Sequence, residues 1–332
     1  MHRVRLPAQL CPQTVRPSRC RESGIALILV VWVVTLLLAI TGSFLYATRT
    51  DARAMRNAAD MARVDAVARA AVMRALIDSL KPTTQPGVWR RGAQAQEWSF
   101  DGLKATVSLV DESARIDLNT GNDALLSGVL RRAGLEESEA ARLLDAILDW
   151  RDADGLRRPN GAEAPDYDSA GLAGRPANQL FQSVEELQLV LGMRAETYQR
   201  LTHMITVYSR QPGVNPHYAS RETLLAIPAV TEGVVDEYLA QRDAAVIENR
   251  PPPPFAAAGA FAAYSRSAAV TVRVDVATAD GLTVSREAVA IPTPQFPKRP
   301  FAVLAWRELP RRSLPGDQPS AVAVSEGSAG AR

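Results

Sequence analysis

The sequence predicts an α+β chain: an N-terminal membrane helix continuing as an amphipathic spine, an antiparallel sheet, and an all-α block inserted into that sheet. Three observations carry this expectation. Residues 25–47 form an uncharged apolar run. Strand-like alternation occurs at 98–110 and again at 268–306. Between those stretches, 117–250 follows a helical period broken at Gly134, Gly192 and Pro228.

The apolar run matches the roughly 20 residues that span a bilayer. Arg3, Arg5, Arg16, Arg19 and Arg21 precede it with a single acid, Glu22. Basic flanks stay cytoplasmic, which places the rest of the chain outside the inner membrane. The small-residue junction, Ser23-Gly24, lies before the apolar core, whereas an ordinary secretory signal is cut after it. Cleavage after Gly24 leaves the helix on the mature chain; an uncleaved signal anchor has the same topology. Residues 49–80 lack Gly and Pro and are rich in Ala, Met, Leu and Arg, all strong helix formers. Ala52, Met55, Ala59, Ala62, Ala66, Met73, Leu76, Ile77 and Leu80 approximate the buried stripe, and Pro82 ends the helix. A short coiled-coil stalk is the alternative, against which the irregular heptads speak.

Asp101-Gly102, a hairpin dipeptide, joins strands at 98–100 and 103–110. A helical region is expected to begin at 117–120. Its first pair turns at Gly134, with Ser138 as a cap. The second turns at Gly192 and runs through His203, and the third turns around Ile227-Pro228. Asn119 and Asn215 each precede a pair, a weak internal repeat. Strands at 268–277 and 282–291 flank Asp280-Gly281, and 301–306 is the last strand. The organisation is therefore a leader at 1–24, a transmembrane helix at 25–47 and its periplasmic continuation at 48–81. The sheet occupies 88–116 and 268–308, the insertion 117–250, and a polar disordered tail 309–332.

Composition narrows the function. A net charge of +2 gives no single-sign field for nucleic acid. Cys11 and Cys20 both lie in the leader, so the remainder has no disulfide, thiol nucleophile or thiolate metal site. Three histidines (His2, His203, His217) without zinc spacing, and no Ser/His/Asp arrangement, argue against an enzyme.

The junction resembles the class III signal of type IV prepilins and pseudopilins, which prepilin peptidase cuts after a glycine before the new terminus is N-methylated. This implies cleavage between Gly24 and Ile25, with methylation of Ile25. The order of that junction, IDLNT (116–120), ILDWRDAD (147–154), RPNGAE (158–163) and VNPHYASRETLLAIP (214–228) resembles the GspK family of type II secretion minor pseudopilins. The resemblance covers about residues 20–310. It implies a pilin-type spine helix, a SAM-like insertion of helix-hairpin-helix pairs, and a non-enzymatic role. In that role the chain caps the periplasmic pseudopilus beside the I and J components, above the major pseudopilin, in support of export of folded proteins. Pilins usually carry glutamate at the fifth position after cleavage. Here that residue is Leu29, as in components that resemble GspK and have no subunit above them. Helix-hairpin-helix turns also suggest an alternative, a membrane-anchored DNA-binding or DNA-uptake protein. Against it, the third turn lacks glycine at the tight position and places Glu232 where a phosphate would approach.

The loop after ILDWRDAD crowds Asp152, Asp154, Glu163, Asp166 and Asp168 among Gly155, Pro159, Gly161 and Pro165. Calcium takes about six to eight oxygen ligands, which such a loop can offer, although the spacing is not that of an EF-hand. A solvated acidic loop balanced by Arg151, Arg157 and Arg158 is the alternative. The resemblance implies structural calcium, with Asp152, Glu163, Asp166 and Asp168 as carboxylate ligands and Asp154 beside them.

Overall fold

The computed structural model describes residues 23–309 apart from 82–84, 86, 93, 173, 249, 279–280, 294 and 297, together with 312–313. The chain forms two compact units, Met1–Ala62 and Arg63–Arg332.

Helix α1 runs Ser23–Ser79. Its apolar stretch makes it the one helix among the described residues that is long and apolar enough to cross a membrane, and the side chains of 26–50 are exposed. Within the second unit, α1 buries Val64, Val67, Ala68, Ala71, Val72, Ala75 and Leu76, a stripe at i, i+3, i+4, i+7 spacing. This corrects the expected stripe, of which Ala66, Met73, Ile77 and Leu80 prove exposed. The covered face carries Ala and Val with Leu76, and the larger Met73, Ile77 and Leu80 are exposed.

Strands β1 (Gln96–Phe100) and β2 (Leu103–Asp111) form the expected hairpin, with Asp101 at φ 50° and Gly102 at φ 74°. These are the two left-handed positions of a type I′ turn. Strands β5 (Val270–Ala277), β6 (Leu282–Pro292) and β7 (Phe301–Glu308) complete an antiparallel order β1-β2-β5-β6-β7. Residues 312–313 add a short pairing to β6, so that part of the expected disordered tail is ordered, while 314–332 lie outside the described residues. Alternate residues of β2 and β5 are buried, with Ala105 opposite Val276, Val107 opposite Val274 and Leu109 opposite Val272. The guanidinium of Arg286 on β6 meets Asp65 of α1 at 2.9 Å, and Arg74 of α1 stacks 4.4 Å from the Trp89 ring.

The helical block lies between β2 and β5, which are neighbours in the sheet. Asp111 and Val270 are direct partners, so the chain leaves and re-enters the sheet at one place. Such closely spaced termini let an insertion fold without breaking its host. The insertion has its own core, drawn from 116–258 and including Leu125, Ile147, Trp150, Tyr167, Leu187 and Leu224.

Several expected boundaries inside the insertion shift. Residues 116–117 are not helical but form β3, parallel to β4 (Ile205–Thr206). Helix α2 starts only at Asp123, capped by Asn122, and ends at Arg132. Helix α3 (Glu137–Arg151) has Glu136, not Ser138, at its N-cap. Gly134 does divide them, at φ 91°. The second pair is a 3-10 turn (Val184–Leu189) followed by α5 (Ala195–Leu201), after a short α4 (Ala164–Ser169). The chain then extends into β4, leaving His203 exposed in a turn rather than on a helix. Helices α6 (Arg221–Leu225) and α7 (Glu232–Ile247) make the third pair, with Ala229 at φ 62° in the turn.

Candidate metal loop and sheet junction

The strand-to-insertion junction is built from acids that sequence position alone would leave on a surface. Asp111, Glu112 and Asp117 are buried. The Asp111 carboxylate meets Arg91 at 2.9 Å and accepts from the N–H groups of Ser113 (3.0 Å) and Ser267 (2.9 Å). Glu112 accepts the hydroxyls of Thr206 on β4 and Thr271 on β5, and pairs with Arg115 at 3.1 Å. Asp117 accepts the N–H groups of Asn119 (2.8 Å) and Thr120 (3.1 Å) and, through its other oxygen, Arg210 (2.8 Å). Buried carboxylates persist only when their oxygens are satisfied in this way. Asn119 completes the junction by exchanging two hydrogen bonds with the backbone of Phe181.

The acidic loop leaves the C-terminus of α3. Trp150 stacks on Phe181 with ring centroids 6.1 Å apart, and the fully buried Tyr167 of α4 accepts the Leu191 N–H at 2.9 Å, which pins both ends of the loop to the core. Of the five acids expected here, Asp152 and Glu163 each have a buried oxygen with no hydrogen-bond partner, Oδ1 and Oε1 respectively. Asp154 is exposed, and its Oδ1 accepts the Leu156 N–H at 2.9 Å. Asp166 accepts the Glu163 N–H at 2.9 Å and pairs with Arg157 at 3.0 Å, while Asp168 pairs with Arg175 at 3.3 Å. No three His, Cys, Asp or Glu side chains among the described residues stand grouped as a ready ion site.

Sequence reasoning missed Asp149, which is wholly buried. It accepts the Arg158 N–H at 3.2 Å, and a Cβ at Gly161 would collide with its Oδ2. The available signal was an acid in the last turn of a helix, where the negative end of the helix dipole disfavours it. Burial pushes the Asp149 carboxyl above its ordinary range, with Asp152 adding to the rise. Asp152 is raised by burial and then by Asp154; Glu163 is raised by burial and then by Asp149 and Asp152. Asp166 is lowered, first by the Glu163 N–H and then by Arg157. The loop thus holds a mutually repelling set around Asp149, Asp152 and Glu163, in which Arg158 pairs with Asp149 at 3.5 Å, and a second set, Asp166 and Asp168, paired with Arg157 and Arg175. The unpartnered Asp152 Oδ1 and Glu163 Oε1 are hard oxygen donors of the kind a divalent cation takes.

Gly24 and Ile25 lie in the first turn of α1, and Leu29 is an exposed apolar residue on it.

A family model for type II secretion system protein K matches residues 107–210, which spans the junction and the acidic loop. The chain is 28% identical over 236 residues to the type II secretion system protein K of Klebsiella pneumoniae, covering 62% of this chain and 70% of that one. It is 25% identical over 205 residues to the protein K of Pectobacterium carotovorum subsp. carotovorum, covering 55% of this chain and 62% of the relative, so part of that relative's length has no counterpart in the match. The fold is similar to a chain in the crystal structure of the GspK-GspI-GspJ complex from enterotoxigenic Escherichia coli. The TM-score is 0.53 at 16% identity, over 79% of this chain and 99% of that chain.

Proposed function

We propose that this chain, which belongs to the type II secretion protein K family, works as a minor pseudopilin at the tip of the periplasmic pseudopilus. The observation that carries the tip position is the insertion of a separately cored helical block between the paired residues Asp111 and Val270. A block of that bulk beside the spine obstructs regular repetition along a shaft and is tolerated at an end. The protein is a structural component, anchored once in the inner membrane by α1, with the leader cytoplasmic and the remainder periplasmic.

Its partners are the I and J pseudopilins, with the major pseudopilin below. The exposed Met73 and Ile77 on α1, with Leu80 just past its end, offer them an apolar face. Met73→Cys and Ile77→Cys variants are expected to cross-link to I or J in membranes that contain all three. The buried Ala71→Cys is expected not to do so. Cross-linking confined to the major pseudopilin, or labelling at regular intervals along shafts, would contradict the tip assignment.

Processing follows from the junction at Gly24. Replacing Gly24 with a bulky residue is expected to leave full-length precursor in cells that contain prepilin peptidase. Intact mass reads the result, and a wild-type chain that retains Met1 there would refute the idea. The neutral Leu29 fits a subunit with no neighbour's amine above it.

Calcium belongs to the insertion. Asp149, Asp152 and Glu163 would hold the ion with Asp154 at the edge, while Asp166 and Asp168 act mainly through their arginines. When bound, the ion supplies positive charge that replaces carboxylate repulsion with ligation and orders the loop. Helix-hairpin-helix DNA binding gains nothing from the fold: Arg221, beside the third turn, is committed to Asp236 at 2.6 Å and Glu232 at 3.2 Å.

A further inference from the structure

We propose that a basic cleft at the C-terminal end of α1 binds an acidic, extended segment of a partner polypeptide. The cleft, of about 750 Å³, lies where the last turn of α1 and residues 88–92 face the chain leaving α7 and residues 264–266. Lys81, Arg90, Arg91, Arg250 and Arg266 line it, and Asp78 is the single acid among the lining residues.

Folding uses only part of this charge. Lys81 meets Asp78 at 2.6 Å, Arg91 holds the buried Asp111, and Arg250 pairs with Glu248. Arg266 has no carboxylate partner among the described residues; it donates to the Tyr218 hydroxyl at 2.9 Å. Arg90 is exposed and has no hydrogen-bond or ion-pair partner among the described residues. The surplus is positive, in a concave surface that concentrates its field.

The rest of the lining decides which anion fits. Trp89, Tyr218 and Tyr264 supply aromatic surface, and the Nε2 of His217 is buried without a partner. Two helices, α1 and α7, present their C-terminal ends here. Terminal carbonyls accept the N–H groups of a peptide backbone, which an inorganic anion lacks. Guanidinium forks take carboxylates in paired hydrogen bonds. A small inorganic anion would leave most of the volume unfilled. Cationic forks, aromatic walls and carbonyl acceptors together suit a strand that alternates carboxylate and apolar side chains.

The test uses the full chain in nonionic detergent and a labelled peptide of about ten residues alternating Glu and Leu, about 33–36 Å when extended, so that part of it can enter the cleft in any register. Saturable binding that weakens with added salt is expected, with no binding of the Lys-for-Glu peptide. The double variant Arg90→Glu/Arg266→Glu is expected to bind about tenfold more weakly at an unchanged melting temperature. If the double variant melts early, Arg90→Glu alone, at an exposed residue, is read instead, with a roughly threefold loss expected. Equal binding by the folded variant, equal binding of the Lys peptide, or displacement by equimolar inorganic phosphate would each overturn the proposal.

Discussion

Replacing Glu112 with alanine is expected to cost about 3–5 kcal/mol, the range seen when one partner of a buried charged cluster is removed. The carboxylate joins two bodies at once: one oxygen takes the Thr271 hydroxyl of the sheet, the other the Thr206 hydroxyl of the insertion, and Arg115 supplies the countercharge. Its own N–H donates to Ala269 at 3.3 Å, beside the strand on which the chain re-enters the sheet. Alanine leaves two buried hydroxyls and a half-buried guanidinium without their acceptor. Glu112→Gln keeps an acceptor oxygen and loses the charge, so it is expected to fall between wild type and alanine. The exposed Glu97→Ala should stay within about 0.5 kcal/mol of wild type. Urea unfolding of the three variants decides the matter; a Glu112→Ala midpoint indistinguishable from that of Glu97→Ala would remove the junction role.

Calcium at a hundredfold excess over its dissociation constant is expected to add about 2.7 kcal/mol to stability. For a unit of this size that corresponds to a rise in melting temperature of about 5–10 °C. Chelator should reverse the rise, and Asp149→Asn or Asp152→Asn should abolish it, while Asp168→Asn should leave most of it intact. The pH dependence has a definite sign. Asp149, Asp152 and Glu163 have raised pKa values in the folded chain, so without metal these groups bind protons more tightly folded than unfolded. Their own contribution to stability therefore falls as pH rises through the carboxylate range and its raised upper edge. Calcium competes with those protons, so the calcium-induced rise should shrink on acidification from neutral pH through the same window. A melting temperature indifferent to calcium and chelator, with no metal by elemental analysis, would remove calcium from the account.

The two acids that matter most for these experiments, Glu112 and Asp149, were not singled out by pattern. Glu112 follows a strand that alternates correctly, and nothing local says that Thr206 and Thr271, 94 and 159 residues away, close over it. Asp149 was passed over in favour of more crowded neighbours, because loop composition is visible in sequence and the packing of Gly161 against a helix end is not. The α1 stripe erred for a related reason. Periodicity marks several faces of an Ala-rich helix, and side-chain size favoured the one that proves exposed.

The apolar run with its basic flank, the Asp101-Gly102 hairpin and the strands on both sides of a helical block were determined by the sequence itself, while Asp280, in the turn expected at Asp280-Gly281, lies outside the described residues. Each depends on interactions within a few residues: the spacing of apolar side chains, the turn chemistry of glycine, the charge beside a hydrophobic segment. Only the tertiary structure decided that β2 and β5 are hydrogen-bonded neighbours, which face of α1 is covered, and which carboxylates lose their solvent. Those outcomes depend on which distant surfaces meet, since burial and the loss of hydration around a charge are set by everything packed against it rather than by its place in the chain.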